Sequence, residues 1–155
     1  MKSIPLSQGL FAIVDDDDYE RLSQFKWHAS KEGDTWYAAR KNPGGVPSTI
    51  KMHREILGSA VNVIVDHRDL NGLNNVRTNL RECTKSDNMC NRGANRNNTS
   101  GFKGVCWDKQ TSKWLAQITK DGKRKCLGRF ASAEAAHRAY CVAAEALHGE
   151  FKRVA

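Results

Sequence analysis

Apolar positions along the chain follow two periods, and where one gives way to the other marks the predicted elements. Gly9 to Val14 (GLFAIV) is a short apolar run that predicts a buried strand. Tyr19, Leu22 and Phe25 then recur at helical spacing, with Asp15 to Asp18 at the start of the predicted helix. Trp36 to Arg40 and Ile50 to His53 read as two strands joined by the turn-rich Asn42-Pro43-Gly44-Gly45. Val63, Ile64 and Val65 predict a strand that ends at Asp66 and His67. Leu80 to Cys83 is expected to pair back on it, followed by a helix capped by Thr84 with Asp87 three residues on.

The second half is patterned differently. Met89 to Gly101 (MCNRGANRNNTSG) has no large aliphatic residue after Met89 and reads as a linker. Its arginines, Arg92 and Arg96, either track a nucleic-acid backbone or belong to a plain tether. Three strands are predicted over Phe102 to Trp107, Lys113 to Lys120 and Arg124 to Arg129, then a helix with Ser132 as cap and Gly149 as stop. Its stripe of Ala136, Ala139, Tyr140, Ala143 and Leu147 is mostly alanine, which lets a helix lie close against a sheet. Alternation in the middle strand turns Trp114, Ala116 and Ile118 toward that helix and Leu115, Gln117 and Thr119 away from it.

Charge sharpens this division. The formal net charge is +8, yet residues 1–65 balance at 8 basic and 8 acidic groups, while residues 93–130 hold 9 basic against 2 acidic. That block also carries Phe102, Trp107 and Trp114, a combination suited to phosphate backbones; a merely basic, soluble surface is the plainer alternative. The four aspartates fit a helix N-terminus, where unpaired amides favour negative charge; a metal cluster is the sharper alternative. Five cysteines without paired spacing suggest free thiols in a reducing compartment. With no apolar run of about 18 residues and no signal-peptide core, a soluble, cytoplasmic protein, phage-encoded or in a host cell, is expected.

The residues with most chemistry lie between Asp66 and Arg92. Hydrolysis of a phosphodiester needs an activated water, a cation for the charge on phosphorus and the leaving oxygen, and in-line geometry. A neutral His67 can take a proton from water, with Asn79 accepting from its other ring nitrogen. Asp66 and Asn88 offer hard oxygens to one divalent ion, Mg²⁺ or Mn²⁺. His53 is read as structural.

The joint order D-H-x(4)-G-x-N-N-x(3)-N-L-R-x(6)-N resembles the HNH homing endonucleases of phage and intron origin. Leu70-Asn71-Gly72 departs from the loop usual in relatives, and Asn88 replaces the last histidine. The resemblance implies a ββα-metal (His-Me finger) motif over residues 61–92, behind an N-terminal mixed α/β scaffold over 1–60. Asp66 and Asn88 would be the metal ligands, His67 the general base and Asn79 the residue orienting it.

After a linker over 93–100, residues 101–155 resemble the Apetala-two/ethylene-response-factor domain through Phe102-Lys103-Gly104-Val105, Lys113 to Ile118, Leu127-Gly128-Arg129-Phe130 and the alanine-rich helix. That implies a three-stranded antiparallel sheet packed on one helix and a double-stranded DNA partner. Lys103, Gln117, Thr119 and Arg124 match contact positions, and Trp107 and Lys109 are weaker candidates. Cys106 and Cys126 depart from the plant pattern, so its target preference does not transfer.

The expected fold class is therefore α+β, and the expected activity is metal-dependent DNA cleavage without a small-molecule cofactor or a membrane partner. The alternatives are a non-cutting, sequence-specific regulator with a structural HNH remnant, an RNA-binding or oligomerising sheet, and a zinc-stabilised module using Cys83 and Cys90.

Overall fold

Residues 1–60, 62–91, 93–94 and 97–152 are described by a computed structural model, which divides the chain into two units, Met1–Thr84 and Lys85–Ala155. Arg92 and Arg96 lie outside the described residues. Both units mix helices with small antiparallel sheets.

The first unit opens with a hairpin of β1 (Lys2–Pro5) and β2 (Phe11–Val14). β2 is half-buried rather than wholly buried: Ala12 and Val14 point inward, Phe11 and Ile13 outward. α1 (Asp16–Ser23) follows, and Phe25, expected within it, lies beyond its end and is exposed. β3 (His28–Glu32), β4 (Thr35–Lys41) and β5 (Thr49–Lys51) form a sheet in that order. The strand expected over Ile50 to His53 is split, since Met52 and His53 begin α2 (Met52–Leu57). β6 (Ile64–His67) then pairs antiparallel with β7 (Leu80–Cys83), Asp66 opposite Arg81 and His67 opposite Leu80.

The core of this unit gathers Ile4, Val14, Leu22, Trp27, Met52, Ile56 and Leu80, the larger of which stabilise the fold by about 1.5–3 kcal/mol each. The aspartate run is used internally. Asp18, 3% exposed, accepts hydrogen bonds from Arg21 and from Nε and Nη2 of Arg77 at 2.7 and 2.8 Å, and Asp15 accepts the Arg77 amide at 2.7 Å. These acids hold arginines. They tie α1 to the segment just before β7.

The second unit begins with α3 (Lys85–Asn91). A sheet ordered β10-β9-β8 follows, made of β8 (Val105–Asp108), β9 (Lys113–Lys120) and β10 (Lys123–Phe130). α4 (Ala133–His148) covers one face, and the Ser132 hydroxyl accepts the Ala135 amide at 3.2 Å as its cap. Val105, Ala116 and Ala136 pack in one cluster, and Ile118, Tyr140 and Ala144 in the next. The buried stripe ends on His148 rather than Leu147, because the His148 imidazole donates to the Thr119 carbonyl at 3.2 Å.

Gly104 sits at φ +73°, where a Cβ would strike the Tyr140 ring, so strand and helix can approach this closely only with glycine there. The end of the expected linker is a braced turn, in which the Asn98 carboxamide accepts from the Ser100 and Gly101 amides and donates to the Phe102 carbonyl. All five cysteines are free thiols, and among the described residues no helix is long and apolar enough to cross a membrane.

Candidate functional site

β6 ends with Asp66 and His67, and the loop from Arg68 to Asn79 folds back over them. Asp66 and Arg81 face each other across the hairpin. The guanidinium donates to Asp66 Oδ2 from Nε at 3.0 Å and from Nη2 at 2.8 Å, a charge-assisted pair that is buried on both sides.

His67 is 5% exposed and belongs to a cluster of rings. The His53 ring lies 5.0 Å away edge-on, and the Tyr37 ring 5.8 Å away. Burial lowers the pKa of His67 and outweighs the contact with Asn75 and the charges of Asp69 and Asp66, so the ring is neutral at pH 7. Burial, with the charges of His67, Lys51 and Arg54, holds His53 down to about 3. Tyr37 is pushed upward, chiefly by burial. Gly72 lets the loop lie flat on this cluster, since a Cβ there would clash with the Trp36 carbonyl and the Tyr37 ring.

The asparagine within reach of His67 is Asn75. It is fully buried, with Oδ1 3.4 Å from His67 Nε2, while Asn75 Nδ2 and His53 Nδ1 have no hydrogen-bond partner among the described residues. An amide oxygen only accepts, so Nε2 donates and the basic lone pair falls on Nδ1.

Asn79, expected to orient His67, is engaged elsewhere. Its oxygen accepts the Asp69 amide at 3.1 Å, and its nitrogen donates to Asp69 Oδ1 at 2.9 Å and to the Asn74 carbonyl at 2.8 Å. Burial alone raises the Asp69 pKa, but bonds from Asn74, the Asn71 amide and Asn79 lower it overall, so its carboxylate remains the hub of the loop. β2 clamps the same loop: the Ile13 amide donates to Leu73 at 2.9 Å, and the Asn75 amide to Ile13 at 2.8 Å. The first 14 residues thus have a legible task, which is to hold Asn75 in place.

Asn88 lies on α3 in the second unit, half-buried, and among the described residues its carboxamide makes no hydrogen bond. α3 is fastened within that unit by the 2.6 Å pair of Lys120 with Asp87 and by the Asp121 amide on Ser86 Oγ at 3.0 Å. The Lys103 ammonium donates to the Cys90 carbonyl, a favourable place for a cation at a helix C-terminus.

Residues directly opposite in antiparallel strands share a face. Gln117 opposes Cys126, and Thr119 opposes Arg124, so Gln117, Thr119 and Arg124 lie together on the face away from α4. Trp107 does not join them. It opposes Trp114 on the helix side, the two rings meeting edge-on at 5.1 Å. Lys109 is exposed in the turn after β8, and the Asp108 carboxylate, held by Arg129 at 2.7 Å, is pulled down to about 2.

The sequence relatives agree with both halves of this picture. Over 150 residues the chain is 30% identical to an uncharacterised HNH endonuclease of Acanthamoeba polyphaga mimivirus, covering 93% of this chain and 74% of that protein. The chain belongs to the HNH endonuclease family. It is also 35% identical over 89 residues to Protein 3.8 of Escherichia phage T7, covering 57% of this chain and 73% of that protein. The AP2 domain family matches residues 100–150, so this HNH chain is fused to an AP2-type domain. No solved structure matches significantly.

Among the described residues no three His, Cys, Asp or Glu side chains are grouped to hold a metal. The donor chemistry near His67 still suits a hard divalent ion, because Asp66 offers carboxylate oxygen, and such ions commonly complete their shell with water and phosphate.

Proposed function

We propose that the chain is a divalent-metal-dependent DNA endonuclease in which His67 is the general base. The observation that carries this reading is His67 itself, kept neutral by burial, with Nε2 directed at Asn75 Oδ1. That tautomer supports proton abstraction from water at Nδ1. Asn75 and the Asp69–Asn79 brace are then positioning residues, and Tyr37 and His53 keep the ring from turning.

Following the family pattern, Asp66 and Asn88 would hold Mg²⁺ or Mn²⁺; the part of Asn88 rests on that pattern alone. When bound, the ion supplies positive charge at the scissile phosphate and the leaving oxygen. Arg81 fixes the Asp66 carboxylate through Oδ2. On the second unit, Gln117, Thr119 and Arg124 contact double-stranded DNA, with Lys103 and Lys109 at its margin; the AP2 match supports the DNA partner.

One observation favours a second reading. His67 is only 5% exposed and Asp66 is already engaged by Arg81, as would suit a regulator that binds DNA through the sheet and retains the HNH part as scaffold. Nicking of supercoiled plasmid by the purified chain, with and without Mg²⁺, separates the two. Relaxed circles that appear only with the metal are expected; binding without nicking at any divalent ion supports the regulator.

A further inference from the structure

Away from His67, the first unit has a cleft of about 890 Å³ whose lining combines aromatic rings and cations and contains no acidic side chain. Tyr19, Phe25 and Trp27 supply the rings, and Lys26, His28 and Lys41 the positive or protonatable groups. We propose that this cleft binds single-stranded DNA, with phosphates along Lys26, His28 and Lys41 and a base stacked on Phe25.

Charge pairing gives the first argument. Most basic side chains of this unit are spent internally: Arg40 on Glu55, Arg21 and Arg77 on Asp18, Lys51 on Glu32 and Lys2 on Glu20. Lys26 and Lys41 make no ion pair among the described residues, and both are exposed. In a unit whose first 65 residues carry equal numbers of acids and bases, two cations without an ion pair are thus placed beside the exposed Phe25 ring, whereas Lys31 lies over Trp36.

The second argument is the rings. Phe25 keeps 40% of its surface exposed although it sits at the mouth of the cleft. It is fixed edge-on against Trp27 at 6.5 Å and lies 4.1 Å from the Arg40 guanidinium, itself anchored on Glu55 at 2.9 Å. A rigid exposed ring next to unpaired lysines is the pattern of a single-strand binder, where stacking needs no particular base. Duplex DNA has no unpaired base to offer it. The proposal goes beyond cleavage and stands whether or not His67 cuts.

The test measures binding of the full chain to a labelled oligothymidylate and to a short duplex in EDTA, across a salt series, for wild type, Phe25→Leu and Lys26→Gln/Lys41→Gln. Phe25→Leu should weaken single-strand binding by about 5-fold or more. The double lysine variant, altered only at exposed positions, should reduce the single-strand salt slope by about 1.4, or about 0.7 per phosphate. Duplex binding should change less than twofold in both. An unchanged single-strand affinity and slope in the lysine variant overturns the proposal, and so does an equal loss on duplex, which marks a general basic surface.

Discussion

The two units spend their charges in opposite ways. In the first, acids and arginines neutralise one another: Asp66 with Arg81 and Glu55 with Arg40 largely out of solvent, and the buried Asp18 with the half-exposed Arg21 and Arg77. In the second, basic residues such as Arg124 stand on the outer face of a sheet whose other face is packed on α4. Buried pairing fixes side chains and suits a site that must hold an imidazole still, whereas exposed, unspent charge suits contact with a polyanion. The β6–β7 hairpin of the first unit is built for geometry and the outer sheet face of the second for attraction.

The comparison breaks most visibly if the buried pairing of the first unit is expendable. Asp18→Ala removes the acceptor of three hydrogen bonds but leaves Arg21 and Arg77 half-exposed and solvated, so it should cost about 2 kcal/mol, read as a denaturant midpoint shift in that unit. A shift below about 1 kcal/mol would mean that the network is ornamental. A comparable effect is expected at Asn75: its replacement by Ala should slow cleavage roughly 10- to 100-fold while leaving DNA affinity unchanged. Equal affinity and equal rate would remove it from the site.

Acid should also act on the first unit. His53 titrates near 6.5 when unfolded but at about 3 when folded, so lowering the pH protonates the unfolded chain first. Stability is full above pH 6.5 and falls toward pH 3 by up to about 1.4 kcal/mol per pH unit, and the lowered His67 adds in the same direction. Urea melts at pH 7 and 5 should show the loss, and His53→Asn should reduce it; a pH-independent midpoint contradicts the burial of these rings. The smallest effect belongs to the second unit. Arg124→Ala should flatten the salt dependence of duplex binding by about 0.9, whereas Trp107→Ala, on the helix side, should leave that slope alone.

What could be read in advance follows the same divide. The sheet and α4 of the second unit were legible because they obey local rules: strict alternation in β9, a capping serine, turn residues between strands. The β6–β7 hairpin was legible for the same reason. Tertiary contacts decided the rest. His53 was read as a strand end, but packing against Tyr37 and His67 places it on α2. The sequence points to Asn79 through the family pattern, and nothing in the asparagine-rich loop singles out Asn75. What separates them is the clamp from β2, distant in sequence, and the hold of Asp69 on Asn79 across the loop. The side on which Trp107 lies is set by the register of β8, where pairing with Trp114 turns it to the helix side while it stays partly exposed.

The most direct test of the central claim is to compare wild type with His67→Ala on one supercoiled plasmid with Mg²⁺, measuring nicking and DNA affinity side by side. Loss of nicking by about 10²–10⁴-fold with affinity unchanged is the predicted result. Nicking by the variant at the wild-type rate would contradict the role assigned to His67.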